Sequence, residues 1–168
     1  MAPHRIALIG PEPLFLQSMT ESDPITRNIL RILTREGRIA NQDLAARVGL
    51  SPSACLRRVQ DLERRGVIRG YRAVLDAVQT GIGFVAYVTV ALSRHTKTAQ
   101  EEFERAMRAE PEVRGCHNVT GTVEYLLRIE VADLPAYKRF HTEVLGTLPQ
   151  VVALTTYVVM GSPKDERA

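Results

Sequence analysis

The sequence predicts an α+β protein in two parts. An N-terminal helix-turn-helix domain of winged-helix-like form is followed by a ferredoxin-like βαββαβ domain. Three observations predict it. Apolar residues recur at helical spacing through residues 23–65 and change to strand-like runs beyond residue 83. Gly49 and Ser51-Pro52 punctuate the helical part with a sharp turn. Positive charge gathers in that same part: residues 21–75 hold 11 Arg, no Lys and 6 acidic residues, whereas residues 76–168 hold 10 basic and 12 acidic ones. A basic module joined to a mildly acidic one implies that the first meets a polyanion.

The helical elements follow from local rules. Asp23-Pro24 is an N-cap followed by proline at the first helical position. Ile25, Ile29, Ile32 and Leu33 then mark one helix face, and Gly37 is expected to end that helix. Asn41 is expected to cap a second helix carrying Leu44, Ala45 and Val48 on one side. Gly49 suits a left-handed terminating residue. Ser51 caps a third helix that begins at Pro52, buries Cys55, Val59 and Leu62, and stops at Gly66. Residues 67–75, "VIRGYRAVL", alternate apolar and polar residues and predict a strand, as a small wing or a bridge.

Burying Cys55, Val59 and Leu62 turns Ser53, Arg57 and Gln60 outward, with Arg58, Arg64 and Arg65 flanking them. Such a face fits a DNA major groove, with polar groups for base edges and guanidinium groups for guanine or phosphate. Arg38, ahead of the second helix, is a candidate phosphate contact. Asn41 and Ser51, at the starts of the second and third helices, complete the candidate DNA-binding set with Arg38, Ser53, Arg57, Arg58, Gln60 and Arg64.

Residues 76–83 read as a linker. Beyond them come a strand at 84–92, a helix over "TAQEEFERAMRAEP" with Ala99, Phe103, Ala106 and Met107 inward, and strands at 113–120 and 123–131. A second helix has Asp133 as its cap and Leu134, Tyr137, Phe140, Val144 and Leu145 inward; a strand at 151–160 follows. The domain is expected to run over residues 84–162, with a C-terminal tail at 163–168. Its strands are apolar on both faces. In the last, Val152, Leu154 and Val158 oppose Val151, Tyr157 and Val159. Two helices cover one face, so the other calls for a second copy of the chain. A two-fold dimer also presents two recognition helices to two half-sites of double-stranded DNA.

Over residues 22–162 the chain resembles the Lrp/AsnC, or feast/famine, transcription regulators. The carrying segments are "GRIANQDLAARVGLSPSACLRRVQDLERRGVIRGYRAVLD", "CHNVTGTVEYLLRIEVADLPAYKRF" and "LTTYVVM". Two departures stand out. "SDPITRNIL" has Thr26 where the family often has Asp. Gly121-Thr122-Val123-Glu124-Tyr125 replaces the frequent Gly-Asp-x-Asp-Tyr, with one carboxylate absent and the other one methylene longer. The resemblance implies a homodimer, built up to a tetramer or an octamer of four dimers, with amino acids bound in clefts between neighbouring dimers. It also implies that Asn118, Thr120, Gly121, Thr122, Val123, Glu124 and Tyr125 line that cleft, with Leu134 and Tyr157 as weaker members. There Gly121 permits close backbone approach and Glu124 can take an ammonium group. The function implied is a sequence-specific DNA-binding regulator responsive to a small amino acid. The alternative is an architectural DNA-binding protein that needs no ligand.

Other classes are disfavoured. No apolar run reaches the roughly 18 residues of a membrane span. Cys55 and Cys116 lack metal-ligand spacing, which points to a reducing, cytoplasmic setting. Cys116 and His117 are neighbours on a strand and face opposite ways. His95 reads as loop surface and His141 as packing. No nucleotide-binding loop, metal signature or convergent nucleophile and base is present, so no enzyme, cofactor or catalytic residue is expected. Residues 1–20 read as a tail outside both domains.

Overall fold

The computed structural model describes residues 23–165. The tail read at residues 1–20 therefore lies outside the described residues, as do residues 166–168. The chain divides into two compact units between Ala73 and Val74.

The first unit holds α1 (Pro24–Leu33), α2 (Asn41–Val48) and α3 (Pro52–Arg64). The Asp23 carboxylate accepts the Thr26 N–H at 2.9 Å, as an N-cap should. Gly49 terminates α2 at φ 71°, a left-handed backbone open to glycine without strain. Ser51 then caps α3 by accepting the Ala54 N–H at 3.3 Å. Ile29, Leu30, Leu44, Ala45, Val48, Cys55 and Leu62 form the buried core, with Val59 packed at its edge.

Three expectations for this unit need correction. Helix α1 ends at Leu33, with Thr34 as its C-cap, and the chain turns twice before Gly37. Ala40, not Asn41, is the N-cap of α2; Asn41 instead donates its side-chain N–H to the Pro52 carbonyl at 2.9 Å, tying the start of α2 to the start of α3. Residues 67–75 form no strand. Their alternation is real, but no neighbouring segment offers a ladder, and a strand exists only by pairing. Tyr71 is held instead by its hydroxyl, which donates to Glu63 at 2.9 Å.

The second unit is a four-stranded antiparallel sheet in the order β2-β3-β1-β4, made of β1 (Phe84–Leu92), β2 (Val113–Asn118), β3 (Tyr125–Val131) and β4 (Val151–Val158). Two helical segments pack on one face. One is α4 (Lys97–Ala109); the other is α5 (Leu134–Arg139), which continues through a π-helical turn at Phe140–Val144 and a 3-10 turn at Leu145–Thr147. This is the ferredoxin-like arrangement. Ala86, Val88, Val90, Leu92, Tyr125, Leu127, Ile129 and Val131 lie under the helices with Phe103, Met107, Tyr137, Phe140 and Leu145.

Leu134, expected inward, is 60% exposed, because the helix begins at this residue and turns it away from the sheet. The faces of β4 are also corrected. A register shift at Ala91/Leu92 sets Val151 opposite buried Leu92, so Val151 and Leu154 pack on the same core while Val152 is exposed. A bulge breaks strict alternation in this way. Away from the helices, Gly115, Arg128, Tyr87 and Tyr157 make one row across the sheet, and His117, Leu126, Thr89 and Thr155 the next. Arg128 on this face donates to Glu130 at 2.8 Å and to Asp165 at 2.6 Å. Burial pulls its pKa down, but the two carboxylates outweigh that and leave it raised.

Candidate functional site

Helix α3 presents Ser53, Arg57, Gln60 and Arg64 to solvent on the side away from Cys55 and Leu62. Among the described residues, the guanidinium groups of Arg38 and Arg57 take part in no ion pair or hydrogen bond and are uncommitted. Arg64 pairs with Asp61 within one helical turn and remains 75% exposed. Ser51 has its oxygen engaged in the cap and lies 3.3 Å from the Ser53 hydroxyl.

Arg58 is placed differently. Its guanidinium turns inward to α1, pairing with Asp23 and donating to the Thr26 hydroxyl at 3.1 Å. The arginine's hydrogen bond holds the Asp23 carboxyl below the usual carboxylate range. Arg58 thus joins α1 to α3. It sits on the flank of the stripe, within reach of the first helix, which a single-helix projection does not reveal. A second tie, Arg47 to Glu36 at 2.6 Å, also escaped the sequence reading.

In the second unit, residues 119–124 form the loop between β2 and β3. Asn118, Thr120, Gly121 and Thr122 are exposed, and Gly121 has φ 133° with open space where a Cβ would sit. Among the described residues, the N–H groups of Thr120, Gly121, Thr122 and Val123 donate to no backbone carbonyl. Glu124 is neither solvated nor uncommitted. It is 13% exposed, accepts the Leu92 N–H at 2.7 Å, and faces His95 Nδ1 at 2.9 Å. Tyr125 stands apart from the open loop. Its ring is fully buried against Phe103, its hydroxyl donates to Glu104 at 2.8 Å, and burial first of all pushes its pKa up to about 12.

Within one chain the other members do not converge on this loop. Leu134 follows the far end of β3, seven residues away along the strand, a span of roughly 20 Å. Tyr157 lies on the open sheet face opposite Tyr87 and is 57% exposed. Cys116 packs against the core, and burial pushes its thiol up to about 11; His117 points to the open face. His141 lies tilted beside Tyr137, with ring centroids 6.0 Å apart and 56° between the planes.

Comparison with known proteins decides the family. The Lrp/AsnC ligand binding domain matches residues 85–168, and a winged helix-turn-helix DNA-binding domain matches residues 22–69. The chain belongs to the Lrp/AsnC family. It is 42% identical over 143 residues to the leucine-responsive regulatory protein of Escherichia coli K12, covering 85% of this chain and 87% of that one. A Neisseria meningitidis transcriptional regulator solved in complex with L-Met superposes with TM-score 0.82 at 35% identity, over 86% of this chain and 93% of that one. An AsnC family regulator from Agrobacterium tumefaciens superposes with TM-score 0.81 at 33% identity, over 86% and 94% of the two chains. As an Lrp/AsnC member, the protein joins a DNA-binding module to a ligand-binding one. Among the described residues, no helix is long and apolar enough to cross a membrane.

Proposed function

We propose that this Lrp/AsnC protein regulates transcription by sequence-specific DNA binding, and that a small amino acid changes its DNA affinity or oligomeric state. The observation that carries the reading is the pairing of a solvent-exposed polar and cationic face on α3 with a ligand-binding domain in one chain. Ser53, Arg57 and Gln60 would read base edges, while Arg38 and Arg64 would meet phosphates. Asn41 would act by tying the start of α2 to that of α3, and Ser51 by capping α3. The protein works in the cytoplasm and catalyses no reaction.

In the effector module, the amides of residues 120–123 suit a ligand carboxylate, and the Glu124 carboxylate suits an ammonium group. The L-Met held by the Neisseria relative supports a zwitterionic ligand of this class. Asn118 and Thr120 border the loop. Leu134 and Tyr157 join the site only if another copy of the chain supplies them, because in one chain Leu134 lies at the other end of β3. That, and the open sheet face bearing Tyr87 and Tyr157, favours a dimer that builds to a tetramer or octamer.

Fluorescence anisotropy on a selected operator, with L-leucine or L-methionine titrated in, tests the proposal. The operator should bind more tightly than random DNA, and one amino acid should shift affinity or the size measured by light scattering. Specific binding that no amino acid alters would favour the architectural reading.

A further inference from the structure

The Glu124 carboxylate uses its two oxygens for different purposes. Oε2 accepts the Leu92 N–H at 2.7 Å, at the point where the β1–β4 register shifts and the sheet ladder is interrupted. That bond fixes the carboxylate to the end of β1. Oε1 faces His95 Nδ1 at 2.9 Å, and there the two partners are very unequal: the glutamate side chain is 13% exposed and the histidine 77%. His95 lies in the short loop between β1 and α4, just before Thr96, which caps α4 by accepting the Ala99 N–H at 3.3 Å. The imidazole is thus an exposed, exchangeable cap on an otherwise shielded carboxylate oxygen.

Glu124 directly follows the loop of residues 120–123 in the chain. We infer that His95 is a built-in competitor of the effector: it occupies the Glu124 edge that a ligand's ammonium group takes, and ligand binding displaces it. The inference rests on the effector-loop reading above. A zwitterion entering this loop brings an ammonium group that Glu124 can hold only by releasing His95. A neutral imidazole gives up that position at less cost than an imidazolium, because only the latter forms an ion pair. Ligand affinity should therefore be lower when the imidazole is protonated than when it is neutral. The charged groups around His95 are Glu124 from the β2–β3 loop, Arg94 beside it, and Lys97 and Glu101 on α4. The last two pair with each other at 3.6 Å.

The test is calorimetry on the full chain with L-methionine and L-leucine, and with N-acetyl-L-methionine as a probe without the ammonium charge. Because His95 is mostly exposed, His95→Ala keeps the fold. It should bind the zwitterion about two- to fivefold more tightly than the unmutated protein at pH 6, the range of an exposed ion pair. His95→Lys, a permanent cation, should bind it more weakly at every pH. The affinity of the unmutated protein should rise from pH 5.5 to 8, while both variants stay flat. N-acetyl-L-methionine should respond to none of these changes. If the zwitterion binds equally to all three proteins with one common pH profile, the competitor role is overturned and the effector reading stands. If neither amino acid binds any of the three, both readings are overturned together.

Discussion

The two units place their charges differently. In the helical unit the ion pairs lie on the surface, with partner side chains 38–75% exposed in Arg47–Glu36, Arg58–Asp23 and the Arg64 and Arg65 pairs to Asp61. In the sheet unit Arg128, Glu130 and Asp165 are only 14–15% exposed and share one network on the open face. Exposed pairs contribute little each and chiefly settle which guanidinium groups remain for a partner. A shielded network is coupled, because its members share partners that water replaces poorly. The pairs of the helical unit therefore leave guanidinium groups for contact, whereas the Arg128 network on the open sheet face serves cohesion.

The strongest challenge to that contrast lies in the apolar layer. Phe103 is fully buried against Tyr125, with ring centroids 4.6 Å apart. Phe103→Ala should cost about 3–5 kcal/mol through lost burial and the cavity left behind. Limited proteolysis should then digest residues 84–158 while residues 24–64 persist. Equal loss of both segments would show that the units do not hold their stability separately.

The network on the open face comes next. Arg128→Met keeps much of the apolar stem but removes the cation that Glu130 and Asp165 share, while Arg114 still lies 3.6 Å from Glu130. A loss of about 1–3 kcal/mol in urea unfolding at neutral pH is expected, the range for losing a charged hydrogen-bond partner of shielded groups. Adding Glu130→Gln should recover part of it. An unchanged midpoint for Arg128→Met would place this network with the surface pairs.

Neighbours on α3 sharpen the comparison within the helical unit. Arg57→Ala should weaken specific DNA binding by about 1–3 kcal/mol and relax base preference. Arg58→Ala should chiefly lower the melting temperature, because its guanidinium is engaged with Asp23 and Thr26. Anisotropy on matched and mismatched operators, beside thermal melts, separates the two. If Arg58→Ala relaxed base preference as much as Arg57→Ala, the assignment of the two arginines would be wrong.

What the sequence disclosed follows the range of the interaction. Caps act within three residues, so Asp23, Ser51 and Asp133 were readable one by one, and Gly49 announced its left-handed turn. The order of strands and helices was readable from periodicity. The wing at 67–75 was not, because alternation states a preference and pairing supplies the strand. The π-helical turn at Phe140–Val144 left no mark, since it changes the spacing that the pattern assumes. The Glu124–His95 contact and the inward turn of Arg58 join residues 29 and 35 positions apart. They depend on sheet register and helix crossing, which no local rule encodes. The candidate base-reading face needed only one helix and was largely visible. The effector loop needed a family resemblance to be noticed at all.

The smallest expected effect is a pH dependence confined to the helical unit. The Asp23 carboxyl is held below its ordinary value, first by the Arg58 guanidinium and then by the Thr26 N–H. A carboxyl depressed on folding contributes stability that is present above its unfolded pKa, ordinarily near 3.9, and is lost as pH falls through the lower folded value. The helical unit should therefore weaken as the pH drops below about 4. Asp61, depressed mainly by Arg64, adds to the same slope. Asp23→Asn still offers a capping oxygen to the Thr26 N–H, because asparagine caps as well as aspartate, but it cannot titrate. Its melting temperature at neutral pH should fall slightly, through the lost pair with Arg58, and its acid slope should be shallower than that of the unmutated protein. Arg58→Met should flatten the slope in the same way while leaving the cap intact. Melts from pH 2.5 to 7 on both variants decide the matter. Parallel acid slopes in all three proteins would mean that Asp23 titrates as an ordinary exposed carboxyl and that the bridge from α1 to α3 contributes nothing in solution.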